Sequence, residues 1–292
     1  MARKPPELPY GVRLTIAYDG TDFHGWQWQD GYRTVQGEIE RGIEAMGLTA
    51  SRVRGCSRTD AGVHAEGQVI SFATKNKLPD DGWIIGLNGV LADDVVVKAA
   101  KSCHRLYNPR FDAQKKLYRY LVQVGNTADP MLRRRAWQYG PRLARRDLSE
   151  GNPGLSRKER VAVFLDVDAM REAAAHLVGR HDFQAFRAYD DGREHTERTL
   201  HRVEIIEGFE GRLDLMAIEI EGDGFMKNMV RILAGTLTDV GRQRIAPAQV
   251  QGMIGAEGKR SDGGPTAPAH GLTLVTVWLE CGDHKRVEEG RV

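Results

Sequence analysis

The sequence predicts an α+β fold in which two similar α/β halves form a largely antiparallel central sheet flanked by helices. Three observations predict it. Strand-like segments with period-two alternation recur along the chain, the first half orders its segments βαββαβ, and the second half again mixes strands with amphipathic helices. The likeness of the halves rests on element order and not on shared residues. At 292 residues and 41% hydrophobic content, the chain can bury a sizeable core.

Residues 12–18 alternate apolar and polar side chains and then meet Asp19-Gly20, the pattern of a half-buried strand entering a turn. Val35, Ile39, Ile43 and Met46 follow at helical spacing, with Thr34 as N-cap and Gly47 where the helix should stop. Strands at 52–56 and 68–73, a helix at 81–91 and a strand at 95–99 complete the first half. In the second half we expect strands at 115–124, 199–206, 212–219 and 272–279, with helices at 167–178 and 225–240. The expected division is an N-terminal half at 1–110, a C-terminal half at 111–282 and a polar tail at 283–292. Residues 140–161 are rich in Gly, Pro and Arg. They read as a basic, solvated loop, with a grip on phosphates as the functional alternative.

Charged residues make up 28% of the chain and the formal net charge is +2, so any nucleic-acid surface must be a local patch. The three cysteines, Cys56, Cys103 and Cys281, are widely spaced and lack a C-x-x-C pair. That argues against a disulfide framework and a structural zinc site. The start of the chain lacks an apolar signal core and no stretch stays apolar long enough to span a bilayer, so a cytosolic protein is expected. The phosphate-binding patterns G-x-x-x-x-G-K-[ST] and G-x-G-x-x-G are absent.

The candidate for chemistry is the segment Ser57-Arg58-Thr59-Asp60-Ala61-Gly62-Val63-His64, which lies between two predicted strands. Small turn-forming residues leave the Asp60 carboxylate room to project. A lone Asp-Ala-Gly would ordinarily be an Asx turn in which the aspartate caps backbone amides. Four other side chains have equally plain readings. Tyr118 shares one face of a strand with Tyr120, Val122 and Val124, a core pattern. Arg231 falls off the apolar face of its helix beside Lys227, Asn228 and Gly235, as a solvated arginine does. Arg58 is a spare loop charge on the same view, and a single His64 is more often structural than catalytic.

The wider pattern changes these readings. Arg58-Thr59-Asp60-Ala61-Gly62-Val63-His64, Gly67-Gln68-Val69 and Phe72 resemble the active-site motif of the tRNA pseudouridine synthase A family. Tyr18-Asp19-Gly20, Gly25-Trp26-Gln27 with Gln29, and Val35-Gln36 are similar to its N-terminal signature. Asn108-Pro109-Arg110-Phe111-Asp112-Ala113, Tyr118-Arg119-Tyr120, His181-Asp182-Phe183, Arg198-Thr199, Phe225, Met229-Val230-Arg231, Ala267-Pro268 and Gly271-Leu272 extend the resemblance over roughly residues 12–279. Three features depart from it: Ser57 replaces the usual Gly, Ala92 stands where Pro is common, and 140–161 is longer than usual.

The resemblance implies a homodimeric enzyme that isomerises uridine to pseudouridine at positions 38, 39 and 40 of the tRNA anticodon stem-loop, with no cofactor and no metal. It implies Asp60 as the catalytic carboxylate, Arg231 as the cation that orients it, Tyr118 as a stacking partner for the flipped base and Arg58 as a clamp on RNA phosphate. His64 receives no catalytic role. The alternatives are a synthase with another RNA target, because catalytic loops are shared more widely than the surfaces that choose substrate, and a non-catalytic RNA-binding or chaperone protein on the same scaffold.

Overall fold

The computed structural model describes residues 8–125, 128–139 and 165–280. The basic segment at 140–161 and the tail at 283–292 lie outside these residues. The chain divides into two compact units, one running to Gln114 and taking in the segment from Leu274, the other Lys115–Thr273.

The first unit follows the predicted βαββαβ order: β1 (Tyr10–Tyr18), α1 (Val35–Ala45), β2 (Arg54–Gly55), β3 (His64–Thr74), α2 (Asp80–Asn88) and β4 (Val95–Cys103). A short helix α3 (Pro109–Asp112) follows. β1 pairs antiparallel with β3 and β4, β2 pairs antiparallel with β3, and β10 (Leu272–Leu279) lies beside β3. The predicted caps hold. The Thr34 side chain accepts from the Gly37 amide, and Gly47 adopts φ +73° just past the end of α1. α2 packs Trp83 edge-on against Phe72 of β3, with ring centroids 5.3 Å apart. β2 is shorter than the sequence suggests, because the Val53 amide donates to the Glu40 carboxylate and its carbonyl accepts from Gln36, which withdraws Val53 from the ladder.

The second unit carries β5 (Ala113–Val124), β6 (Trp137–Tyr139), α4 (Val167–Leu177), β7 (Gly179–Asp182), β8 (Glu197–Ile206), β9 (Leu215–Gly222), α5 (Met229–Gly241) and α6 (Pro247–Met253). Strands β5, β9, β8 and β7 pair antiparallel in that order, and β6 joins β5 in parallel. α4 packs on α5, α6 and β8. The fold is therefore mixed α and β with a mostly antiparallel sheet, as predicted. Two boundaries differ for backbone reasons. Gly208 and Glu210 take φ +65° and +55° in a 3₁₀ turn, so β9 starts at Leu215 and not at 212. α5 starts at Met229 because Asn228 sits at φ +60°, outside the helical region. Gly235 is no surface residue either, since a Cβ there would lie 1.9 Å from the Pro265 carbonyl oxygen.

Candidate active site

The loop between β2 and β3 places two of the predicted site residues. Buried Ser57 and Thr59 alternate with exposed Arg58 and half-buried Asp60. The inward side is tied down residue by residue. The Cys56 amide donates to Val69 O (2.8 Å). The Ser57 amide donates to Gln68 Oε1 (3.1 Å), and Gln68 Nε2 donates to Ser57 O (2.7 Å). Thr59 O accepts from the Trp26 amide (3.0 Å), and its hydroxyl shares a 2.8 Å hydrogen bond with the Tyr18 phenol. The Val63 amide then closes a turn on Asp60 O (3.1 Å), with Gly62 at φ +79° in the left-handed position.

The N-terminal motif is thus a brace for this loop. Burial pushes the Tyr18 phenol up to about 12, against the opposing effects of its bonds to Thr59 and Gln68, so it stays a neutral hydrogen-bonding prop. Trp26 is buried with its ring where a Gly55 Cβ would fall, 2.4 Å away at closest. His64 is buried and its Nδ1 accepts from the Gly20 amide (3.0 Å) with Asp19 Oδ1 at 3.1 Å, a structural setting. Ser57 keeps ordinary backbone dihedrals: among the described residues the non-glycine positions with positive φ are Glu210, Asn228 and Gln243. A serine therefore fits this position without strain.

Gln68 is the least replaceable brace, being fully buried and pairing with both main-chain groups of Ser57. We expect Gln68→Leu to lose about 2–6 kcal/mol, because two buried backbone groups forfeit their partners at ~1–3 kcal/mol each. A fall in melting temperature checks this, and an unchanged melting point would refute it.

The second unit presents the other two predicted residues. Tyr118 on β5 is paired across from Ile220 and buried, and the edge-to-face ring of Phe225 stands 5.1 Å away at 82°. Two residues on, the buried Tyr120 phenol donates to Pro268 O (2.8 Å). Burial raises its pKa and the positive charge of Arg231 opposes the rise. Arg231 lies in the first turn of α5, half-buried. Its Nε donates to Ala267 O (2.7 Å), its Nη1 donates to Asn228 Oδ1 (2.9 Å), and its own carbonyl accepts from the Ala267 amide (3.2 Å). Asn228 can serve here because asparagine tolerates the left-handed backbone that starts this helix. The guanidinium is thereby oriented along its length, which a lysine could not reproduce.

Sequence reasoning named candidate positions and missed the braces. Gln68, Tyr18 and Trp26 were visible only as motif letters, and Asn228 only as a polar neighbour of Arg231. The signal that exposes them is a buried polar group whose partner lies far along the chain.

A family model described as tRNA pseudouridine synthase matches residues 14–112 and 173–278. The chain belongs to the tRNA pseudouridine synthase family, and the resemblance read from its motifs is borne out. Within it, the chain is similar to the tRNA pseudouridine synthase A of Myxococcus xanthus, 38% identical over 279 residues, covering 96% of each protein. It is also 39% identical over 275 residues to the tRNA pseudouridine synthase A of Bacillus velezensis (94% of this chain, 99% of that protein). The enzyme of the same name from Bacillus subtilis is 38% identical over 271 residues (92% and 99%). Among the described residues, no helix is long and apolar enough to cross a membrane.

Proposed function

We propose that this chain is a cytosolic homodimer that isomerises uridine to pseudouridine at positions 38, 39 and 40 of the tRNA anticodon stem-loop. Asp60 is its catalytic carboxylate. The observation that carries the reading is the Asp60 loop itself: a half-buried carboxylate on a backbone fixed by Gln68, Trp26 and Tyr18. A reacting group held this rigidly loses little freedom on meeting its substrate.

The reaction breaks the N1–C1′ bond, turns the uracil and joins C5 to C1′, and the proton displaced from C5 is balanced by one gained at N1. No atom is gained or lost overall, so one carboxylate beside the sugar suffices, acting as nucleophile at C1′ or as base at C2′. Hydrolytic glycosidases need a second carboxyl group to protonate the leaving group or activate water. Here Arg231 takes the role of orienting cation that the family motif assigns to it. Tyr118, with Phe225 edge-on to its ring, supplies a face for the uracil, offsetting part of the few kcal/mol lost when the base leaves its stack. Exposed Arg58, two residues before Asp60, clamps a phosphate.

The test is to incubate the purified protein with unmodified tRNA transcripts and no added cofactor, then map pseudouridine by carbodiimide labelling. Product at positions 38, 39 and 40 is expected. Product elsewhere assigns a different RNA target, and none on any RNA leaves the non-catalytic alternative. Arg231→Lys is expected to lower kcat by about 10²-fold despite keeping the charge, because the oriented fork is lost. Wild-type kcat in that variant would remove Arg231 from the site.

A further inference from the structure

Residues 24–33 build a surface that the reaction above does not use. The segment is closed at its base, where the His24 amide donates to Arg33 O (2.8 Å). Gln29 Nε2 donates to His24 O (3.2 Å) and the Tyr32 amide to Gln29 O (3.3 Å), so the turn between them is internally bonded. Across it, the His24 and Tyr32 rings stack with centroids 4.2 Å apart and planes 23° from parallel. Tyr32 is nevertheless 56% exposed. Trp28, in the same segment, is 44% exposed, and the Arg52 guanidinium lies 5.0 Å over its ring.

Exposed aromatic rings on a rigid polar turn, one with a guanidinium above it, form the kind of surface on which nucleobases stack. Beside the Arg52 guanidinium, the charges around it are acidic or already paired. Asp22 and Asp30 are exposed in this region, and Arg33 is committed to Asp94 by bonds of 2.6 and 2.8 Å and to the Phe23 ring. The segment is also joined to the Asp60 loop without slack, since Gly25 and Trp26 directly follow His24 and Trp26 bonds Thr59. We propose that the His24–Tyr32 stack is a platform for an unpaired nucleobase of the RNA substrate, distinct from the flipped uridine, with Trp28 and Arg52 as a second stacking position. The identity of that RNA rests on the function proposed above.

The experiment uses the whole protein and an anticodon stem-loop RNA carrying 2-aminopurine at each loop position in turn. Binding by the wild type should quench the fluorescence at one or two positions. Tyr32→Trp should keep the quenching, whereas Tyr32→Ala should lose it at one position and bind about tenfold more weakly, with the loss in turnover assays falling on KM rather than kcat. Circular dichroism melting establishes that both variants fold. Equal quenching and affinity in Tyr32→Ala overturns the platform, as does a dimer that dissociates in Tyr32→Ala with RNA affinity intact, which would give the patch to a second copy of this chain. Quenching by a wild type that makes no pseudouridine supports the platform and fails the proposed reaction. Pseudouridine formation with equal kcat/KM in wild type and Tyr32→Ala does the reverse.

Discussion

Asp60→Asn is expected to lower pseudouridine formation by at least about 10³-fold while tRNA binding stays within about twofold, because the amide keeps the shape and loses the charge. A melting curve on the same preparation separates lost chemistry from lost folding. The Asp60 side chain is half-buried at a turn, and the bonds that fix this loop run through the main chains of Cys56, Ser57, Thr59 and Asp60 and the side chains of Gln68, Tyr18 and Thr59. Carbodiimide mapping of the product and filter binding of the tRNA, done on one preparation, separate the two quantities. Wild-type turnover in Asp60→Asn would end the mechanism. A parallel loss of binding and turnover would instead mean that Asp60 holds the RNA and does not act on the sugar.

Much of the first unit was legible because local signals and tertiary packing agree there. Thr34 and Gly47 bound α1, as a hydroxyl N-cap and a left-handed glycine should, and β10 occupies the predicted residues. Boundaries went wrong where a side chain took over a backbone partner or the backbone left the usual regions. Glu40 and Gln36 draw Val53 out of β2, and Asn228 postpones the start of α5 by four residues relative to the predicted 225. Neither event has a local signature. Within the candidate site, Asp60, Arg58, Tyr118 and Arg231 could be named only through a motif, since a turn aspartate, a loop arginine, a strand tyrosine and a helix arginine each have an ordinary explanation. The braces were hidden for another reason. Gln68 is one polar residue in a buried strand, and what it does is set by Ser57, eleven positions away and reached only after β2 and β3 pair.

Those braces lead to the second large effect, at Gly25. This residue stands at φ +82°, and a Cβ there would meet Thr59 O at 2.8 Å and Asp60 C at 3.2 Å. Gly25→Ala therefore carries two penalties: left-handed backbone strain of about 1 kcal/mol, and a push on the main chain that bears Asp60. Gly47→Ala isolates the first of them, because Gly47 is at φ +73° and a Cβ there would meet nothing within 4 Å. We expect Gly47→Ala to lower the melting temperature by about 2–4 °C with no change in turnover. Gly25→Ala should lower it further and cut kcat by about 10²-fold, the scale of a reacting group displaced by ~1 Å. Melting curves and steady-state kinetics on tRNA transcripts decide the matter. If the two variants share the same kcat, the N-terminal motif stabilises the unit without positioning the carboxylate, and the close approach of Gly25 to Thr59 would matter for stability alone.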